Sequence, residues 1–496
     1  MKRIFSIMVI LPVLLAMLLT GCSLDDVADP TGQVNGPVPA DASTPYVAIG
    51  NSLTAGFMDS GLMQAGQANS YPMIVATQMG LDMDTFTQPW IASPGIGTTN
   101  VGAGNVSGVL YYNGSTVLPL AVTPEADVAG LLLAVAQPTQ YHNLGVPGAF
   151  SVDLMNAYSA GSSYAAGPPF SRPNSFFEFI NRAGPLVGLY GSAAVPAAPP
   201  APGYQTGSQF YQTIAKGPAM VTAWVGGNDF LFGATSGDPL GPANALITPA
   251  ATFAQNYGGF LNSLAGGLLQ RNGFPPTIIT ATLPLVENIP FFLDRATFQA
   301  VFGGLSLTYA ETDAEYILLP NFLGSDLPVT PGGELPANMT LSAAERAYLD
   351  DEVIGAYNTA IAAVTAQVNG NPQIPATAAM VDFNAWIAAE KPTNPDAFRH
   401  FLLLRITNPG DTIAEVAAKT YFSLDGVHPN NKGYVFVANG FIEKINETLG
   451  TSYATVPTAA VTWDPTYGAP IPTKAYTGGI PRISPEVAEA MRRSFR

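Results

Sequence analysis

Short apolar runs recur along the chain, bounded by glycine, proline and polar residues, and they alternate with longer stretches of helical periodicity. The first run is Tyr46-Val47-Ala48-Ile49-Gly50. It is apolar at successive positions, as expected of a short strand buried on both faces. Gly50 lets the chain turn sharply at its end. Comparable runs are Gln140 to Gly148, which enters a glycine turn, Ala219 to Val225, Thr277 to Leu283, and Met380-Val381-Asp382-Phe383. Helices are predicted between them. One runs from Ser70, a cap, to Gly80, a stop, and another covers 251–270. Ser342 and Glu345 form a capping box that opens a long amphipathic helix to about Val368, and a last core helix reaches about Leu449. Five buried strands alternating with helices predict a parallel sheet covered on both sides. The carboxyl ends of such strands share one edge, where ligands bind.

Three stretches break this alternation and read as large loop insertions: 81–138, 151–215 and 285–340. The second carries a stiff segment, Ala197-Ala198-Pro199-Pro200-Ala201-Pro202. Residues 451–496 form a Pro/Thr/Tyr-rich C-terminal extension with a short helix near its end. No internal repeat is present. Gly95-Ile96-Gly97 and Gly102-Ala103-Gly104 invite a nucleotide-loop reading, but Asn100 and Ser107 stand where GxGxxG needs its last glycine. They read as loop glycines.

The N-terminus has a pattern of its own. Lys2 and Arg3 precede an apolar run from Ile4 to Leu19, short for a membrane span and right for a secretory signal. It ends Leu19-Thr20-Gly21-Cys22, which resembles the lipobox of bacterial lipoproteins. That resemblance implies a signal peptide over 1–21, a lipid on Cys22, and a flexible tether to residue 44, rich in Asp, Pro, Gly and Ala. The alternative is a buried thiol beside an uncleaved signal anchor. Acyl chains at ~0.8 kcal/mol per buried methylene hold such a protein on a membrane. The non-acidic Ser23 after the cysteine implies the outer membrane of a Gram-negative cell.

Composition narrows the function classes. With 47% hydrophobic and only 11% charged residues over 496 positions, the chain can bury a large core. The net charge is −16, and loss of Lys2 and Arg3 with a leader makes it −18, which argues against a nucleic-acid partner. One cysteine allows no intrachain disulfide, and with three histidines and no HExxH pair the chain is a poor candidate for a zinc site. No metal or cofactor is implied.

Four segments stand at strand ends: Ser52, Gly145, Asn228, and Asp425 with His428. Singly, each has a plain structural reading: a helix cap, a turn glycine, a loop cap, a turn former and a packed histidine. Together at one sheet edge they supply the parts of acyl transfer. Ser52 is the candidate nucleophile, His428 the base, and Asp425 the group that orients the base. The N–H groups of Ser52 and Gly145 and the Asn228 amide are candidate oxyanion donors. Asp229 reads as a brace for its loop. His142 and His400 lack a carboxylate at useful spacing and read as structural, although His142, beside the second segment, could line the cleft. The G-x-S-x-G elbow of another esterase fold is absent, because Thr54 stands at its second glycine.

Gly50-Asn51-Ser52-Leu53, Asn143-x-Gly145, Gly226-x-Asn228-Asp229 and Asp425-x-x-His428-Pro429 resemble, in order, the four blocks of the SGNH, or GDSL-type, hydrolases. The likeness extends to Ser52–Met58, Leu283–Phe292 and Asp425–Phe441, and covers about half the chain. It implies a flavodoxin-like three-layer α/β/α sandwich with a central five-stranded parallel sheet over residues 45–450. It further implies a Ser52–His428–Asp425 catalytic set and an oxyanion hole of Ser52, Gly145 and Asn228. Two departures stand out: Asn51 replaces the family's usual aspartate, and the gap between Ser52 and Gly145 is wide. The expectation is a monomeric, lipid-anchored serine hydrolase of the bacterial cell envelope. It would cleave carboxylic esters of small-molecule, lipid or glycan substrates, with the insertions roofing its site. The rival from another class is a non-catalytic surface lipoprotein that binds glycan or lipid on the same fold.

Overall fold

A computed structural model of the protein describes residues 45–97, 104–132, 141–181, 207–469 and 480–494. The signal segment, Cys22, the tether and the Ala/Pro run near 197–202 lie outside the described residues. All described residues belong to one unit, Pro37–Arg496.

The five apolar runs form the five strands of one sheet. They are β1 (Tyr46–Gly50), β2 (Asn143–Gly145), β3 (Met220–Trp224), β4 (Thr277–Ala281) and β5 (Thr377–Val381). Every neighbouring pair is parallel, and the order is β2-β1-β3-β4-β5. This is the flavodoxin-type order, in which the winding direction reverses between β1 and β3 and opens a crevice outside their carboxyl ends. The register aligns those ends: Gly50 pairs with Gly145 on one side and with Trp224 on the other. β1, β3 and β4 are buried at every position, which is why each reads as a largely apolar run with no charged residue, threonine being the one polar type among them.

The helices used below are α1 (Ser52–Ala55), α2 (Tyr71–Gln78), α3 (Gln209–Lys216), α4 (Asn228–Ala234), α5 (Ala250–Asn272), α6 (Gly355–Asn369), α7 (Phe383–Glu390), α8 (Asn431–Leu449) and α9 (Pro485–Ser494). Helix α8 packs on α2 and on β5, while α5 packs on α3 and α6, and α6 on β5. The result is a three-layer α/β/α sandwich.

Several expected boundaries shift. Strand β5 starts three residues before Met380 and ends at Val381. It is an edge strand with alternating exposure, so its first half lacks the apolar signal of a buried strand. Asp382 is the cap of α7, accepting from the N–H groups of Asn384 and Ala385, each at 3.1 Å. The helix expected from Ser342 to Val368 does open on its capping box. It is then interrupted by a π-helical stretch, Tyr348–Ile354, before α6. In that stretch Asp350 accepts the Val286 N–H at 2.9 Å and so fixes the loop after β4.

The insertions carry structure of their own. Residues Phe292–Asp294, Ala314–Leu318 and Thr340–Ser342 form a small antiparallel sheet. The hairpin of Leu110–Tyr112 and Thr116–Pro119 gains a third, parallel strand, Arg482–Ile483, from the C-terminal extension.

Candidate active site

The end of β1 passes through Asn51 into the single turn α1. The Asn51 side chain accepts the Leu53 N–H at 3.1 Å, so this residue serves as the helix cap. Ser52 then stands at the sheet edge. Its hydroxyl lies 2.9 Å from His428 Nε2, and His428 Nδ1 lies 3.0 Å from Asp425 Oδ2. Residues 376 positions apart in the chain thus form one hydrogen-bonded relay.

The tautomer follows from the partners of Asp425. Its Oδ1 accepts the N–H groups of Val427 and His428 at 2.9 and 2.8 Å, and its Oδ2 accepts the Ser60 N–H at 2.8 Å. Burial alone raises this carboxyl. The opposing charge and hydrogen bonds of His428, with the backbone donors, outweigh burial and hold it down at about 2. Asp425 is therefore an ionised acceptor, and Nδ1 of His428 carries the proton. That leaves Nε2 as the acceptor for the Ser52 hydroxyl. The Phe57 ring covers the imidazole at 4.8 Å. Tyr434 of α8 donates to the Phe57 carbonyl at 2.6 Å and holds that segment in place.

Asp59 and Ser60, two residues beyond Phe57, both adopt left-handed backbone, with φ of 54° and 55°. Conformations of this kind in non-glycine residues persist only where the surroundings fix them. Here they do. Asp59 donates its N–H to Ser423 Oγ at 3.1 Å, and its Oδ1 accepts the Leu424 N–H at 2.8 Å. Its Oδ2 accepts Trp463 Nε1 at 3.1 Å and the Tyr467 hydroxyl at 2.6 Å. Asp59 joins the loop carrying Asp425 to the C-terminal extension. Burial pushes its carboxyl up to about 7 against these donors.

The oxyanion side differs from expectation at one position. Gly145 lies within β2, and its N–H is directed to Asn143 Oδ1 at 3.0 Å. A Cβ there would collide with the Ala55 nitrogen, so this glycine serves close packing of α1 on β2. The Gly145 N–H, expected as a donor, is therefore already taken, and the next glycine on this segment is Gly148, three residues on. Gly148 has φ of +78°, is half-buried, and its N–H makes no hydrogen bond among the described residues. Its neighbour Ala149 accepts Asn228 Nδ2 at 2.8 Å, which ties the second and third blocks together. One Nδ2 hydrogen of Asn228 is used there, and the amide has a second. Asp229 braces the same loop, accepting the Ser151 hydroxyl at 2.7 Å and its N–H at 2.9 Å.

The other two histidines stand apart. His142 Nδ1 accepts the Thr87 N–H at 3.1 Å, and burial, with Lys216 nearby, lowers its pKa to about 3. It does not line the cleft. His400 caps the helix Phe401–Thr407 by accepting the Leu402 N–H at 3.1 Å, and burial lowers it to about 4. Among the described residues no group of three or more His, Cys, Asp or Glu side chains could hold a metal ion. No helix among them is long and apolar enough to cross a membrane.

An apolar cleft opens beside Ser52 and His428. Its walls include Trp224, Leu231, Phe383, Ile387, Phe436 and Val437, and no Asp, Glu, Lys or Arg among the described residues lines it. Trp224 forms part of the floor, stacked on Phe383 at 4.7 Å with its indole N–H on the Thr282 carbonyl at 3.1 Å. The expected roof is only partly there. Among the described residues, only the third insertion reaches the cleft, through Asn288 and Ile289. Described parts of the first two instead bury Phe57, Ile91, Val106 and Phe176 in a separate cluster behind the imidazole. Further walls come from segments after β5: Ile387, Phe398 and Tyr421, which periodicity did not single out, and Phe436 of the predicted last core helix. Aromatic residues flanking the His428 block were the one available signal.

The chain matches no protein-family model, and no curated protein is significantly similar to it.

Proposed function

We propose that this protein is a serine hydrolase of the SGNH type that cleaves carboxylic esters with apolar acyl groups. The observation that carries the reading is the relay from Ser52 through His428 to an ionised, fully hydrogen-bonded Asp425. In this mechanism Ser52 Oγ attacks the ester carbonyl and passes its proton to His428 Nε2. The tetrahedral oxyanion meets the N–H groups of Ser52 and Gly148 and the free amide hydrogen of Asn228. Collapse breaks the bond to the alcohol, which leaves with the proton from Nε2, and the acyl group stays on Ser52. A water then gives its proton to Nε2 and attacks the acyl-enzyme. The carboxylic acid departs and Ser52 recovers its proton.

The cleft supports an apolar acyl group over a sugar. Each buried methylene is worth about 0.8 kcal/mol there. Each sugar hydroxyl left without a partner costs about 1–3 kcal/mol, and the walls offer few polar groups. The N-terminal sequence supports attachment to the cell envelope through a lipid on Cys22. Incorporation of labelled palmitate, lost in Cys22→Ala, tests that attachment.

The test of activity uses soluble protein beginning after Cys22. We expect fluorophosphonate labelling and turnover of nitrophenyl esters, both abolished in Ser52→Ala. A folded wild type that neither labels nor turns over any ester overturns the reading and favours a binding lipoprotein.

A further inference from the structure

Phe398, Tyr421 and Phe436 line the apolar cleft together with Ser52, and between them they also line two other clefts whose walls do not include Ser52. Phe398 faces one that also holds Lys391, Arg399 and His400. Tyr421 and Phe436 face another that holds Trp386, Glu390 and Asn439. The three residues therefore stand between the apolar cleft and two more polar ones.

The three rings form a unit. Phe398 meets Tyr421 at 5.9 Å and Phe436 at 5.8 Å, both nearly edge-on, and Tyr421 meets Phe436 at 5.3 Å. With Ile387 and Ala397 they form a cluster separate from the main core. The Tyr421 hydroxyl is anchored, donating to Glu390 Oε1 at 2.9 Å and accepting Asn394 Nδ2 at 3.2 Å. The Phe398 and Phe436 rings have no polar anchor and are held by packing. The cleft is narrow, with a cavity volume of about 80 Å³.

Resting on the esterase reading, we infer that Phe398, Tyr421 and Phe436 form the blind end of an acyl-binding cleft and set the longest acyl chain the enzyme accepts. An acyl chain bound to Ser52 runs along the apolar walls until its terminal methyl meets these rings. A longer chain must bend back or leave methylenes in water. Removing one ring joins the cleft to the polar groove behind it and lets the chain continue.

The experiment compares nitrophenyl esters from acetyl to hexadecanoyl on the full soluble chain, reading the ratio of long-chain to short-chain kcat/KM within each preparation. Fluorophosphonate titration counts the active sites. Phe436→Ala, placed within α8 where alanine preserves the helix, is expected to move the limit to longer chains. Esters just beyond the wild-type limit should gain about tenfold or more for each methylene newly accommodated. Ile387→Trp fills the same end and is expected to move the limit to shorter chains. A titrated Phe436→Ala with the wild-type profile overturns the proposal while leaving the hydrolase reading intact. If Phe436→Ala fails to fold, Ile387→Trp decides: an unchanged limit overturns the proposal. A wild type inactive on every ester overturns the hydrolase reading instead.

Discussion

Asp425 makes four hydrogen bonds and none of them is spare. Replacing it with asparagine keeps the shape but puts a donor where only acceptors fit. The amide can present its NH2 to Nδ1, and His428 then takes the other tautomer, with its proton facing Ser52. Asp425→Asn should lower kcat by about 10⁴-fold with little change in KM, and steady-state kinetics on a short ester will show it. On the oxyanion side, Asn228→Ala should lower kcat by about 10²–10³-fold. The Asn228 side chain also ties down Ala149, so a loss confined to KM would count against its role as donor. Gly145→Ala and Gly148→Ala separate packing from chemistry. The first forces a methyl against the Ala55 nitrogen and should show mainly as a lower melting temperature. At residue resolution the sequence misleads at one point. The spacing Asn143-x-Gly145 is legible, but that the Asn143 side chain turns back onto the Gly145 N–H depends on a local rotamer, which no motif encodes.

At the scale of elements, β1, β3 and β4 were readable because burial on both faces leaves a largely apolar string. Strand β5 was displaced because an edge strand of Thr377-Ala378-Ala379 carries little hydrophobic contrast. The cleft wall after β5 was illegible for a different reason. Ile387, Phe398, Tyr421 and Phe436 come from separate segments and meet only after the chain has folded. The turn Asp59-Ser60 is the element on which the relay leans, since Ser60 donates to Asp425 and Asp59 holds Leu424. Asp59→Ala strands the indole of Trp463, the hydroxyl of Tyr467 and the N–H of Leu424. At about 1–3 kcal/mol for each buried group left unpaired, it should lower the melting temperature markedly. Tyr467→Phe removes one donor only. It should lower kcat without abolishing folding, and unaltered kcat in that variant would falsify the coupling.

The whole molecule carries several buried carboxyls whose ionisation opposes folding. Burial pushes Asp59 and Asp153 up to about 7 and Asp229 up to about 6. Between pH 4 and 7 the folded state holds protons on these groups that the unfolded chain has released. Their stabilisation is therefore complete below about pH 4 and is lost as pH rises through 6 to 7. Asp425 acts oppositely: its pKa is depressed, so its contribution is present above about pH 4 and fades as pH falls toward 2. The urea midpoint should be higher at pH 5 than at pH 8. Asp153→Asn should flatten that difference; an unchanged slope would assign the pH dependence to other groups.

The C-terminal extension supplies two of the three donors on the Asp59 carboxylate. In a chain made from its N-terminus, Ser52, Asp425 and His428 all precede Trp463 and Tyr467. The carboxylate that steadies the relay lacks its last two partners until the C-terminal extension folds back onto it. On the hydrolase reading, the order of synthesis thus places full assembly of the relay's support at the end of folding, and a chain shortened after Gly450 keeps the three relay side chains while losing part of what holds them.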